Sequence, residues 1–318
     1  MSASSIATTK TVEARAKIAA NRRARARIYD RIATGTLWGL AGFITLVFLY
    51  IVTYIISKGL PYISRDFFTS GNPAIGIAAQ LFNTFYLLIL SLLIMIPIGI
   101  GAAIYTSEYA QNQRFLRILR FAVETLTSAP SLLIGLFGFL FFVANIKIFS
   151  VGPITVHGMG LQFSRISGAL ALAVLNVPWL LRTSEDALRA VPGALREASL
   201  AAGATKWQTT LRVVIPAAIP GLVTSILITS GRVIGETAAL IFTAGAGGSV
   251  KDAFNLGLNR PGETLAYHAY SLYSEPSTNS EGLRAGTSLV LIVLVLVINI
   301  SARVLGNFLN NRFAGRRA

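Results

Sequence analysis

Arg232 and Glu236 stand four residues apart at the end of a long uncharged stretch, 213–231. At helical spacing they would lie one above the other on a single face. Charges inside a membrane helix face a partner helix or an aqueous path. Two readings are open for this pair. In one, Arg232 offers its planar set of donors to an oxyanion, a match Lys would serve less well, and Glu236 holds it in place. In the other, the two neutralise each other and brace a seam with another subunit. Arg182 and Glu185, three apart, form a second candidate pair, for which a snorkelling Arg and a surface ion pair are the plain alternative. Glu124 reads as an interfacial residue. His268, Tyr267 and Tyr270 fall in a polar connection, 243–284, where solvation is the plain reading. Gly221, Ser225 and Thr229 recur every fourth position, which permits close helix approach.

Other chemistries are excluded. There is no Cys, so no disulfide, thiolate metal site or cysteine nucleophile exists. With 2 His, His157 and His268, a histidine metal site or catalytic triad is unsupported. No Gly-x-x-x-x-Gly-Lys-Ser/Thr run occurs, so the chain does not bind and hydrolyse ATP through such a loop.

The elements that must position these residues belong to a membrane. Of 318 residues, 53% are hydrophobic and 13% charged, which a soluble surface tolerates poorly. The excess of 28 Lys and Arg over 13 Asp and Glu suggests nucleic acid. The placement of those charges argues otherwise, because they punctuate uncharged runs at 32–57, 67–107, 125–146, 213–231 and 285–302. Each is near or above the roughly 18 apolar residues a spanning helix needs. Backbone groups in hydrocarbon must bond internally, so the chain is expected to be all-α and polytopic. Six spans are placed at about 35–57, 77–105, 123–146, 167–181, 217–242 and 285–305, between a basic tail, 1–34, and a basic C-terminus, 306–318. The tail rests on anionic headgroups. With the N-terminus in the cytoplasm, the inner segments hold 20 basic residues and the outer loops 7. The positive-inside rule thus puts both termini and the segment 182–216 in the cytoplasm.

That segment has the pattern helix, break, helix. Pro192-Gly193 closes one helical stretch, Leu195 to Ala202 are good helix formers, Gly203 permits a sharp turn, Lys206 to Val213 restart, and Pro216 opens the next span. Two short helices with small residues at the bend make a knob suited to a groove on a soluble partner. The run Glu197-Ala198-Ser199, then Gly203, then Val213-Val214-Ile215-Pro216 resembles the EAA loop of ABC-importer permeases, departing from it at Ser199. The resemblance implies a MetI-like permease fold. It also implies that Glu197, Ala198, Gly203, Trp207 and Pro216 dock on an ATP-hydrolysing subunit, which carries ATP and magnesium while this chain holds no cofactor.

Further stretches narrow the likeness: Ile96-Pro97-Ile98-Gly99, Ala129-Pro130-Ser131, Arg182 through Glu185, and Arg232-Val233-Ile234-Gly235-Glu236-Thr237-Ala238 followed by Phe242-Thr243-Ala244. These are similar to the PstA-type permeases of phosphate importers. Ala239 stands where that family usually has Pro. The resemblance implies a permease subunit, not an enzyme by itself, in a multi-pass prokaryotic plasma-membrane complex. Its expected partners are a homologous PstC-like permease, two copies of a PstB-like ATPase and an extracytoplasmic PstS-like binding protein, with Arg232, Glu236, Arg182 and Glu185 along the phosphate path. Nucleic acid is not expected as a partner. A permease for sulfate or molybdate, a secondary anion transporter, and a membrane scaffold or phosphate sensor are the alternatives.

Overall fold

The computed structural model describes residues 3–151, 154–245, 254–274 and 281–314. Side chains of the basic tail through residue 28 and from residue 309 onward lie outside what is described, as does Ser249 in the expected outer loop. The chain divides into two compact units, Met1–Ser57 and Lys58–Ala318.

The first unit consists of helix α1, Ala3–Gly59. From Tyr29 through the short turn Leu60–Tyr62 that follows it, the chain is long and apolar enough to cross a membrane. A lone helix has no interior, so Trp38, Phe43, Phe48 and their apolar neighbours must be covered by hydrocarbon or protein.

In the second unit, the short α2 (Arg65–Thr69) is capped by Ser64, whose hydroxyl accepts from the Phe67 amide. The long α3 (Ala78–Ile104) follows and ends in a wide turn over Tyr105–Tyr109. Next come α4 (Gln113–Ser128) and α5 (Ser131–Gly138), bent from one another by 99°. This corrects the expected third span, 123–146, which is not one rod. Pro130 has no amide to donate and forces Ala129 into extended geometry, so the helix stops there. α4 begins ten residues earlier than expected and is amphipathic, with Leu116 as its buried residue.

A hairpin of β1 (Lys147–Val151) and β2 (Ile154–His157) is a small exception to the all-helical expectation. α6 (Arg165–Arg189) runs well beyond the expected 167–181 and carries Arg182 and Glu185 in its last turns. After α7 (Gly193–Ala201) and α8 (Lys206–Thr209), a wide turn over Thr210–Val214 leads into α9 (Ile215–Ile234).

The fifth expected span, 217–242, is also corrected. α9 stops at Gly235, residues 235–237 are non-helical, and the one-turn α10 spans Ala238–Ile241. The break forms without a proline at 239. Ala239 is fully buried and its Cα would lie 2.8 Å from a Cβ placed on Gly135, so α5 and α10 meet backbone to backbone. α11 (Leu265–Ser274) and α12 (Glu281–Ala314) complete the unit. Among the described residues, five helices can span a membrane, or six if the bent α4–α5 pair counts as one.

The core is the α3–α6 seam, where Leu87, Leu88 and Met95 pack against Ala169, Leu172, Ala173 and Leu180. Val233 and Ile234 of α9 and Leu240 of α10 close it from one side. Small residues set the approach. A Cβ on Gly99 would sit 3.0 Å from Leu180, and one on Gly221 would overlap Ala187. Ser225 and Thr229 are buried and turn their hydroxyls back to carbonyls of α9.

Candidate functional site

Arg232 lies in the last turn of α9, exposed on its surface. The break at Gly235 rotates Glu236 off the α9 face, so the expected ion pair does not form. The Glu236 carboxylate instead accepts from the Ala239 amide at 3.3 Å, serving the first turn of α10. The guanidinium carbon of Arg232 sits 5.4 Å from the centroid of the Trp179 ring on α6. Among the described residues, no carboxylate or hydrogen-bond acceptor engages the guanidinium group. This is a positive fork with its donors unspent, beside a break in a membrane helix. Broken helices are where transporters place their sites.

The second candidate pair is also rearranged. Arg182 and Glu185 do not bond to each other. Glu185, with its side chain 10% exposed, accepts from Arg120 of α4 at 3.0 Å and pairs with Arg189 of its own helix at 2.5 Å. Arg182 lies 3.6 Å from Glu124 of α4, both well exposed. Glu124, expected as an interfacial residue, is the partner of Arg182. The six groups Arg120, Glu124, Arg182, Glu185, Asp186 and Arg189 line a cavity of about 190 Å³ between α4 and α6. Three guanidinium groups face three carboxylates there, so the charge is compensated. Spacing along α6 could not reveal Arg120, because it reaches Glu185 only through the packing of two helices distant in sequence. A larger groove of about 740 Å³, lined by α6, α9 and α12, is walled mostly by small residues with Arg303 as its charge, and has no such cluster.

The 182–216 segment is helix, turn, helix. Gly203 has φ +84°, and a Cβ there would meet nothing within 4 Å, so backbone conformation rather than space demands glycine. Thr205 and Gln208 form a reciprocal capping box that restarts the chain as α8. Pro216 sits in the first turn of α9, where its missing amide costs nothing. The knob is tethered from behind. Arg196 binds Glu108 at 2.8 Å and donates to the carbonyls of Leu188 and Val191. Ser199 and Thr209 hydroxyls meet at 2.9 Å, and Lys206 lies over the Tyr109 ring. Glu197, Ala198, Gly203 and Trp207 remain on the exposed face, Trp207 being 60% exposed. An exposed tryptophan is the kind of side chain that interfaces use as an anchor.

Sequence reasoning missed a polar cluster at the opposite end of α6. Arg165, 1% exposed, donates to Asn83 Oδ1 at 3.0 Å and to the carbonyls of Asn255 and Gly257, and lies over the rings of Phe82 and Tyr86. His268 is not solvated but 3% exposed, with Nδ1 3.1 Å from Glu263, whose other oxygen accepts from Gln80 at 3.3 Å. Tyr270 is exposed and Tyr267 half-buried. In the sequence Arg165 stands at the edge of the uncharged run 166–181, and nothing in its neighbours announces burial.

Spanning helices, a broken fifth span and an exposed knob define a transport permease. Residues 95–315 match the model of the binding-protein-dependent transport system inner membrane component family, and the chain belongs to it. The chain is 39% identical over 297 residues to the probable ABC transporter permease protein YqgI of Bacillus subtilis (strain 168), covering 89% of this chain and 97% of that one. It is 34% identical over 260 residues to the phosphate transport system permease protein PstA of Haemophilus influenzae (strain ATCC 51907 / DSM 11121 / KW20 / Rd), covering 80% and 86%. In fold it is similar to a chain of the bacterial alginate ABC transporter crystallised with an alginate pentasaccharide-bound periplasmic protein, with TM-score 0.59, 18% identity, and coverage of 90% and 94%. The chain is thus a multi-pass inner-membrane component of an importer, a translocation subunit and not an enzyme. Importers of this family act with an ATPase and a substrate-binding protein.

Proposed function

We infer that the chain is the membrane-spanning permease subunit of an ATP-driven importer of inorganic phosphate, forming part of the path and receiving the ATPase stroke through the 182–216 knob. What carries the phosphate assignment is similarity to phosphate permeases along four fifths of the chain. The unspent guanidinium of Arg232 supports it, since a tetrahedral oxyanion takes charge-assisted bonds from such a fork. Arg182 and Glu185 lie further along the path, in the compensated cavity with Arg120 and Arg189. Glu197, Ala198, Gly203, Trp207 and Pro216 shape the surface that meets the ATPase, which holds the ATP and magnesium. A PstC-like permease, two PstB-like ATPase copies and a PstS-like binding protein complete the complex. Both termini are cytoplasmic.

The test is uptake by the purified complex in liposomes, with binding protein outside and ATP inside. Labelled phosphate is expected to accumulate only with ATP, undiminished by tenfold excess sulfate or molybdate. Accumulation of sulfate or molybdate in its place would overturn the substrate. ATP-independent uptake would point to a secondary transporter, and normal signalling without uptake to a sensor.

A further inference from the structure

We propose that Trp179 is the positioning residue for Arg232: its indole face holds the guanidinium group against α6 without spending a donor on an acceptor atom, and so leaves the N–H fork for the transported oxyanion. This rests on the reading of Arg232 as an anion contact and adds to it the means by which the side chain is aimed.

An arginine on a helix surface has several rotatable bonds, and a mobile fork presents no fixed site. Ion pairing commonly supplies the anchor, but among the described residues no carboxylate does so, Glu236 being turned to the Ala239 amide. The indole face takes its place. At 5.4 Å from the ring centroid, Arg232 lies within the roughly 6 Å range of cation–π attraction, for which tryptophan is the strongest side chain. A stacked guanidinium keeps all its donors, since they point in its own plane and the ring occupies only a face. A carboxylate anchor would consume two of them and cancel the charge an anion needs.

The ring is itself held. Trp179 follows Pro178 within α6, and its Nε1 is buried with no acceptor among the described residues. The polar edge is therefore pressed into the protein while the face is turned to the cation. A buried donor without a partner is costly. Its presence fits a ring placed for its face rather than for its N–H.

Phosphate uptake by the complete complex, compared at matched membrane abundance for Trp179→Phe, Trp179→Tyr, Trp179→Met and Trp179→Leu, tests the assignment. Phe and Tyr exceed Met and Leu by only about one methylene in volume, so a packing role predicts a small, graded loss across the series, whereas only the aromatic pair retains a face. Uptake by the Phe and Tyr variants is expected within about threefold of the parent, and that of the Met and Leu variants lower by roughly tenfold. Met at the parental rate, or Phe as slow as Met, overturns the proposal. Arg232→Gln, run alongside, separates the two layers. If it transports normally, the anion contact itself is wrong and the positioning role falls with it. If it loses transport while Trp179→Met does not, only the positioning role is wrong.

Discussion

Arg165 and Arg232 both lie against aromatic rings of a neighbouring helix, yet they do opposite things. Arg165 is enclosed, and its fork is spent on Asn83 and on the carbonyls of Asn255 and Gly257, which pins the 254–264 connection across α3 and α6. Arg232 is exposed, and its described neighbour is a ring face that consumes no donor. The difference teaches that the environment of the donors, not the presence of arginine in a membrane protein, separates a brace from a site. A satisfied guanidinium has nothing left to offer a passing anion. On the proposed reading, a transported anion is the counter-charge that the exposed guanidinium of Arg232 receives in passing.

The sharpest way to break this comparison is Arg165→Leu. It orphans the buried Asn83 oxygen, at about 1–3 kcal/mol, leaves the ring faces of Phe82 and Tyr86 without their cation, and frees the carbonyls of the exposed Asn255 and half-buried Gly257 that hold the connection in place. Little folded protein is expected in the membrane, measured as detergent-extracted abundance and thermal midpoint. If Arg165→Leu is abundant and stable, the brace reading is wrong.

Arg232→Gln should do the reverse, lowering uptake by at least roughly tenfold at parental abundance, because a neutral donor keeps hydrogen bonding and loses the Coulomb partner. Abundance falling in step with uptake would make Arg232 a second brace and erase the contrast.

The knob repeats the contrast at smaller scale. Arg196→Gln removes a largely buried partner of Glu108 and is expected to loosen the loop, lowering the thermal midpoint. Glu197→Lys changes an exposed charge, and should leave the midpoint in place while ATP hydrolysis proceeds without uptake. Equal thermal effects of the two variants would show that exposure does not sort these residues.

The smallest effect is expected at Glu124→Gln. The Glu124–Arg182 pair is 3.6 Å long with side chains 60% and 57% exposed, so its loss should shift stability by less than ~1 kcal/mol. A larger shift in the denaturation midpoint would mean that the α4–α6 cavity is held together by this pair.

Much was legible from the residues alone. Uncharged runs bounded by charges locate the spanning helices, because hydrocarbon leaves the backbone no alternative to internal bonding. The knob was legible too, since Pro192, Gly203 and Pro216 act through local backbone geometry that needs no tertiary neighbour. Gly203 between two helix-forming stretches marks the turn, and its positive φ is one that glycine adopts without strain. Similarity along the chain carries the family in the same way.

Pairing and breaks were not legible, since both are settled between helices. The expected Arg232–Glu236 face presumed that the helix continues. It ends at Gly235, where α5 and α10 come together at Gly135 and Ala239 and the Glu236 carboxylate binds the Ala239 amide. Glu185 pairs with Arg189 one turn on and with Arg120 of α4 rather than with Arg182 three residues before it, because the packing of α4 against α6 adds a donor that spacing along α6 does not show. Sequence thus determined which residues carry charge into the membrane. Tertiary structure alone decided which of those charges are cancelled and which stay free, because electrostatic compensation depends on distances of a few ångströms between segments that the chain order keeps far apart.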